Sequence, residues 1–103
     1  MPFPFEININ KTAGGYEYEP AKLDQVAVGD QIIWVNNDDK PHWPGLLSDG
    51  TIKPKYFMPN QIAPNSPSDP FIPGDTTTTK PYTLTYVDSL DPQGPQGTIV
   101  VTR

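Results

Sequence analysis

The most regular stretch of the chain reads VAVGDQIIWVNNDDKPH and runs from Val26 to His42. An apolar run from Ile32 to Val35 occupies its middle, where Ile32 and Trp34 share one face of an extended strand. Just before them, Gly29-Asp30 is a turn signal between two runs rich in β-forming residues. The pattern predicts a β-hairpin over residues 26–36, with Trp34 buried between two sheets.

The same two-residue period recurs in four other segments: residues 3–9, 16–19, 82–86 and 98–102. Gly14-Gly15 marks a turn between the first two, and Pro4 suits an edge position for the first strand. Apolar residues nowhere recur at helical spacing over three turns, and the 14 prolines oppose helix formation. These short strands predict an all-β protein, an antiparallel β-sandwich.

Residues 53–81 depart from this pattern, because they carry seven prolines and show little alternation. A connection of this length without regular structure is usually functional or disordered. Its large apolar side chains favour a loop that is ordered against the sandwich. The expected anchors are Tyr56, Phe57, Ile62, Phe71 and Ile72. The threonine run 76–79 is expected to begin the next strand.

The size and charge of the chain limit its possible functions. With 103 residues it is expected to form a single domain, residues 1–103, with 53–81 as a loop insertion. Twelve acidic against seven basic residues give a net charge of -5, so an acidic nucleic acid backbone is not an expected partner. No apolar run is long enough to span a bilayer. The start lacks a signal sequence, so either the protein stays where it is made or a targeting segment has been removed.

Several of these elements, in this order, resemble small blue copper proteins of the plastocyanin, pseudoazurin and amicyanin type. Gly29-Asp30, residues 34–38 and Pro41-His42 resemble the family's turn, strand and first copper ligand. Tyr18-Glu19-Pro20 resembles the segment before that turn, and residues 82–86 and 97–101 resemble the last two strands. The resemblance implies a cupredoxin-like Greek-key β-sandwich of about seven strands. It also implies a periplasmic or extracellular location if a signal peptide has been removed.

In that family the loop between the last two strands supplies a Cys, a His and an axial Met. The corresponding positions here are about 87–89, about 90–92 and Pro95, and they hold none of those ligands. The whole chain has no Cys and one His, whereas a type 1 copper site needs a thiolate and two imidazoles. The sequence therefore predicts no type 1 copper and no electron-transfer chemistry of its own.

His42 has two possible roles. It could be the remaining ligand of a weak copper or zinc site completed by Asp88, Asp91, Met58 or water. Alternatively, it donates a hydrogen bond to a carbonyl of the facing loop, which we favour because metal sites usually need three or four ligands. The serines lie in loops without a Gly-x-Ser-x-Gly motif, so the sequence predicts a protein that is not an enzyme.

Apolar residues flank His42 in the chain and also occupy the loop that faces it in such folds. In the copper proteins this end docks electron-transfer partners, so the resemblance implies a binding surface there for a protein or a small ligand. The predicted binding patch comprises His42, Trp43, Leu46, Leu90, Pro92 and Pro95. The alternative is that Trp43 and Leu46 turn inward and fill the volume of the missing copper site.

Overall fold

Two β-sheets enclose one core in the part of the chain that the structure describes. The structure is a computed structural model that describes residues 3–74 and 79–103, and its regular elements are all strands. No helix long and apolar enough to span a bilayer occurs among those residues. The nine strands are β1 (Pro4–Thr12), β2 (Gly15–Glu19), β3 (Lys22–Val26), β4 (Gln31–Asn36), β5 (Pro44–Ser48), β6 (Thr51–Lys53), β7 (Ser66–Pro67), β8 (Tyr82–Asp88) and β9 (Gln96–Val101).

The four-stranded sheet has the order β2-β1-β4-β7, and the five-stranded sheet has the order β3-β9-β8-β5-β6. The predicted β-sandwich is confirmed, but both sheets are mixed. β1 runs parallel to β4 and β3 runs parallel to β9, so the prediction of an antiparallel sandwich is wrong. The strand count exceeds the expected seven because β6 and β7 have three and two residues, too few for a recognisable alternation.

The predicted hairpin over residues 26–36 is wrong, because β3 and β4 belong to different sheets. The turn between them carries the chain across the sandwich, and Gly29 takes the positive φ of 91° expected of a turn glycine. The Asp30 carboxylate accepts the backbone N–H groups of Ala27 at 2.8 Å and Phe3 at 2.9 Å. These two hydrogen bonds hold the pKa of Asp30 below its ordinary value and fasten the start of β1 to the turn.

β1 is an inner strand, which corrects its expected position at a sheet edge. Its first half, however, has a neighbour on one side only. Pro4 lies opposite Gln31 of β4, whereas pairing with β2 begins at Asn8. A proline lacks the N–H that a second neighbour would need, so it is compatible with this half-open end.

Trp34 lies at the centre of the core with 0% of its surface exposed, as predicted. Its ring contacts Phe57 and Tyr86, with centroid distances of 5.2 and 5.3 Å. Tyr86 lies on β8 of the opposite sheet, and Phe57 comes from the proline-rich segment. Trp34 therefore joins both sheets and the long connection in one cluster.

The described part of the proline-rich segment packs on the sandwich through several residues. Phe57, Met58 and Ile62 are buried, and Phe71 is partly buried beside Ile32, with which it forms a β-bridge. Tyr56 and Ile72 are exposed, unlike the other expected anchors. The expected strand start at 76–79 lies largely outside the described residues, and β8 begins at Tyr82.

Replacing Trp34 with Ala should lower the free energy of unfolding by about 3 to 5 kcal/mol, because it opens a large cavity between the sheets. Urea denaturation of the wild type and the variant measures this difference. Phe3→Ala is the matched control, since Phe3 is 57% exposed and its truncation should change stability little. Equal losses for the two variants would contradict the central role of Trp34.

Candidate functional site

The loop between β4 and β5 is shaped by Asn36, whose side chain is fully buried at the end of β4. Its Nδ2 donates to the carbonyl oxygens of Lys40 at 2.8 Å and Ala63 at 3.2 Å. Its Oδ1 accepts the backbone N–H of Asp38 at 2.9 Å. The amide therefore closes the loop on itself, attaches it to the proline-rich segment and turns Asp38 inward.

His42 is fixed by its backbone before its side chain makes any contact. Its N–H donates to the carbonyl of Ile62 at 3.2 Å, and its carbonyl accepts the N–H of Ile62 at 2.7 Å. This short antiparallel bridge holds the loop against the proline-rich segment. Because Ile62 itself is buried, the position of the imidazole is set by the core as well as by the loop.

The imidazole of His42 lies between two buried carboxylates. Nε2 is 2.8 Å from Oδ2 of Asp38, and Nδ1 is 2.5 Å from Oδ2 of Asp88. The exposed fractions of Asp38, His42 and Asp88 are 3%, 3% and 1%. We call these three residues the Asp38–His42–Asp88 triad.

The geometry of the triad requires a charged imidazole. A neutral imidazole has one N–H and one lone pair, so one of its nitrogens would face a carboxylate oxygen without a proton between them. Burial by itself would lower the pKa of His42, but hydrogen bonds to Asp88 and Asp38 and their negative charges outweigh burial and raise it. The triad is therefore an imidazolium held by two carboxylates.

Both carboxylates have additional donors, as buried charges require. Oδ1 of Asp88 accepts the backbone N–H groups of Trp43 and Leu90, each at 2.9 Å. Oδ1 of Asp38 accepts the N–H of Asp39 at 2.7 Å. Burial works against ionisation, but the bonds from His42 and the backbone outweigh it and hold the pKa of Asp38 and of Asp88 below the ordinary value.

Tyr16 of β2 covers the triad from the solvent side. Its ring packs against the imidazole at an interplanar angle of 49° with a centroid distance of 4.3 Å, and its hydroxyl donates to Asp91 at 3.0 Å. Above this floor lies an open cleft of about 640 Å³, walled by the turn after β1 and by residues 38–42 and 88–91. An exposed ion pair between Lys11 and Asp39, 2.8 Å long, joins two of the walls.

The structure brings together only some of the candidate metal ligands. Asp88 contacts His42, whereas Asp91 accepts a hydrogen bond from Tyr16 instead. Met58 is buried, and its carbonyl accepts the indole N–H of Trp43 at 3.3 Å. Within residues 3–74 and 79–103, no set of three His, Asp or Glu side chains is arranged to hold a metal ion.

Two aspects of this site differ from expectation. The side-chain partners of His42 are carboxylates, so the prediction of a carbonyl partner is wrong. Asp38 was not recognised as a site residue, because Asp38-Asp39 has the appearance of a solvated pair, and Tyr16 was assigned only to a strand. The signal in the sequence that pointed to Asp38 was the single His itself. An imidazole that is both buried and charged requires acidic residues beside it.

The residues of the predicted binding patch divide into two groups. Leu90 is 48% exposed, and Pro92 and Pro95 are also exposed. Trp43 and Leu46 are partly buried and pack against the core, while His42 is buried. A partner at this end would meet the 90–95 loop first.

The triad does not fit a type 1 copper ion. The chain has no thiolate, and both nitrogens of its single imidazole already bind carboxylates. The position where the resemblance placed the thiolate, about 87–89, includes Asp88. A carboxylate at that position contacts the residue that resembles the first copper ligand.

Comparison with known proteins identifies solved structures that share this architecture. Family models and curated protein sequences give no match. Among solved structures, a purple cupredoxin from Nitrosopumilus maritimus matches with a TM-score of 0.74 and 20% identity, covering 95% of this chain and 99% of its own. The chain has a cupredoxin-like fold. A reduced proline-to-phenylalanine variant of amicyanin also matches, with a TM-score of 0.65, 21% identity and coverages of 95% and 81%.

A second amicyanin variant, a methionine-to-alanine change in the Cu(I) form, matches with a TM-score of 0.66, 21% identity and coverages of 98% and 84%. The resemblance found in the sequence is therefore confirmed for the fold, and the copper ligands are absent, as stated from the sequence. At such identities the likeness shows the cupredoxin fold alone. Function must be inferred from the site.

The triad predicts a stability maximum between two pH limits. As pH falls through the lowered folded-state pKa values of Asp38 and Asp88, below the ordinary 3.8, native carboxylates must take up protons and stability is lost. Above the ordinary imidazole pKa of 6.5, the unfolded chain releases its proton first. Stability should therefore fall as pH rises towards the raised folded-state pKa of His42.

His42→Gln isolates this contribution, because Asp30 and Lys11, which also have shifted pKa values, remain unchanged. The variant should lose the alkaline decline and, at neutral pH, about 3 kcal/mol of stability, as when a buried ion pair is broken. Urea denaturation across a pH series measures both. Wild-type stability in the variant at neutral pH would contradict a charged triad.

Proposed function

We propose that this chain is a copper-free cupredoxin-like domain that acts as a non-catalytic binding or interaction module, using the end that carries His42. The observation that carries the proposal is the binding of both imidazole nitrogens by buried carboxylates. This end of the fold is thus held together by an ion triad, and its loops present a fixed surface without a bound metal.

The triad also opposes metal binding. A metal ion at His42 would have to displace the proton from one ring nitrogen and break an ion pair between buried groups. After that exchange, a negatively charged carboxylate would have lost its partner in the core. The other carboxylates of the cleft, Asp39 and Asp91, are poor substitutes, because oxygen ligands alone bind copper or zinc weakly and without selectivity.

A catalytic role has little support in this geometry. A general base needs a free lone pair within reach of a substrate proton, and the imidazolium of His42 has none. The ring is also covered by Tyr16 and 3% exposed. The serines show no arrangement with His42 of the kind that activates a nucleophile, since the ring nitrogens already contact Asp38 and Asp88.

The surface available to a partner combines apolar and polar parts. Leu90, Pro92 and Pro95 form the exposed apolar part, and the cleft above Tyr16 forms the polar part. Asp88 accepts the N–H of Leu90, so the triad fixes the first residue of this loop. A preformed loop loses little conformational freedom on binding, which favours recognition of a protein or a small ligand.

Copper titration separates this proposal from the alternative of a weak copper or zinc site at His42. The purified protein should contain no stoichiometric metal and should take up none when Cu(II) is added, as measured by elemental analysis and calorimetry. The His42→Gln variant should likewise take up no Cu(II). Submicromolar Cu(II) binding by the wild type that is lost in His42→Gln would replace the binding module with the metal-binding alternative.

The binding surface itself is tested with a random peptide library selected on the immobilised wild-type protein. Leu90→Asp should abolish binding of the selected peptides, because it places a charge in the exposed apolar part of this surface. Ile72→Asp is the matched control, since Ile72 is similarly exposed at 52%, near the start of β4 and away from His42. If the selected peptides still bind the Leu90→Asp variant but not the Ile72→Asp variant, the binding surface lies at the Ile72 end of the sandwich instead.

A further inference from the structure

A row of aromatic rings crosses the core from the proline-rich segment to the triad. Consecutive rings are in contact, with centroid distances of 5.0, 5.2, 5.3, 4.8 and 5.9 Å. In order, the row comprises Tyr56, Phe57, Trp34, Tyr86, Tyr18 and Tyr16. Tyr56 is 44% exposed at one end, and Tyr16 lies beneath the cleft at the other.

Packing alone does not require the side chains of this aromatic row to be Tyr or Trp. Its last four members are Tyr or Trp, the side chains that lose a single electron most readily apart from Cys, and only Phe57 interrupts the row. Leu, Ile or Phe would fill the same volume without polar atoms. Each polar atom that is buried without a partner costs stability.

The polar atoms in the middle of the row show that this cost is present. The hydroxyl of Tyr18 is buried and has no hydrogen-bond partner in residues 3–74 and 79–103. The hydroxyl of Tyr86 and the indole N–H of Trp34 are also buried, and they lie close enough to interact with each other although no well-formed hydrogen bond joins them. Buried polar groups are normally satisfied, so these poorly satisfied donors on adjacent rings need an explanation. Side chains that serve by losing and regaining an electron supply one, because the ring carries that property whether or not its donor is satisfied.

Tyr16 differs from the buried tyrosines of the row, Tyr18 and Tyr86, because its proton has an acceptor within the protein. Its hydroxyl donates to Asp91 at 3.0 Å, and Gly94 leaves space beside both groups, since a Cβ there would lie 2.5 Å from each. Burial and the carboxylates of Asp88 and Asp91 raise the pKa of Tyr16, so the phenol is protonated at neutral pH. An oxidised phenol is a strong acid, so Tyr16 can pass this proton to Asp91.

The charges around Tyr16 favour the same outcome. The imidazolium of His42 packs against its ring at a tilt and opposes a second positive charge there, whereas the Asp91 carboxylate can accept the proton of its hydroxyl. A ring that keeps its proton after losing an electron is a cation; one that releases it is neutral. Among the buried and partly buried rings of the row, Tyr16 is therefore the one on which an oxidising equivalent is best stabilised, as a neutral radical.

We propose that the aromatic row conducts one-electron oxidising equivalents from Tyr56 to Tyr16 without a metal. A one-electron oxidant of the metal-complex or radical class takes an electron at Tyr56, and electrons move along the row to refill it. The final electron comes from Tyr16 while its phenolic proton moves to Asp91. The products are the reduced oxidant, a neutral Tyr16 radical and protonated Asp91.

This activity goes beyond the proposed binding function and does not depend on it. It also departs from the expectation that the chain has no electron-transfer chemistry of its own. That expectation considered copper ligands alone, and the ligands are indeed absent. The aromatic row only becomes visible when the strands and the proline-rich segment are folded together.

Because the chain has no Cys, a single introduced thiol can be labelled selectively, and the test uses this property. Lys55→Cys introduces one thiol next to Tyr56, to which a ruthenium polypyridyl photosensitiser is attached. A flash in the presence of a cobalt(III) electron acceptor generates the oxidant at that position. Electron paramagnetic resonance and transient absorption should then detect a tyrosyl radical, and its signal should be lost when Tyr16→Phe is added.

Two further variants test the path. Tyr18→Phe and Tyr86→Phe keep each ring and remove only a buried hydroxyl that makes no well-formed hydrogen bond, so both should fold as the wild type does, which thermal melts verify. Each should reduce the Tyr16 radical several-fold. Tyr82→Phe is the matched control, because it makes the same chemical change at a tyrosine outside the row, whose hydroxyl donates to the Gly74 carbonyl at 3.0 Å. A radical that stays on Tyr56, or an unchanged Tyr16 signal in Tyr18→Phe and Tyr86→Phe, would overturn the proposal.

Discussion

The buried imidazolium of His42 provides the interaction on which the loops at its end of the sandwich depend. It joins the loop after β4, through Asp38, to the end of β8, through Asp88. Burying one cation and two anions is unfavourable unless each charge has a partner and each remaining lone pair has a donor. Those conditions are met by backbone N–H groups on both carboxylates, so the loops on either side are fixed by the electrostatic needs of the triad.

A comparison with the chemistry of blue copper explains why such a triad is suited to this fold. A type 1 site gathers a thiolate and two imidazoles around a metal cation and so ties distant loops together. Without a thiolate, the same loops need another source of cohesion. Here the cation is a protonated imidazole and the anions are carboxylates, one of which, Asp88, lies within the positions 87–89 that the resemblance assigned to a thiolate. The loops are held together here as well, but the central charge is that of a protonated imidazole. The strength with which the loops are held together therefore depends on pH.

The sequence predicted those features that depend on a few neighbouring residues. The alternation around Trp34 established a strand and its buried face, because side-chain period is a local property. It did not predict which sheet receives β4, because the Gly29-Asp30 turn forms equally well within a sheet or between sheets. Asp38 was missed for a similar reason. Its orientation depends on the hydrogen bonds of Asn36, whereas its neighbour Asp39 points outward and pairs with Lys11.

Tyr16 connects the two unusual features of this core, because it contacts the triad through its ring and ends the aromatic row. An exposed tyrosine could release its phenolic proton to water, but this one is partly buried and depends on Asp91. The imidazolium beside it makes a cationic ring unfavourable, which couples loss of an electron from Tyr16 to loss of its proton. In the proposed path, the charge that holds the loops in place of a metal therefore also determines the form in which an oxidising equivalent rests. At alkaline pH His42 would lose its proton and with it the positive charge. A positive charge on the Tyr16 ring would then be repelled less strongly.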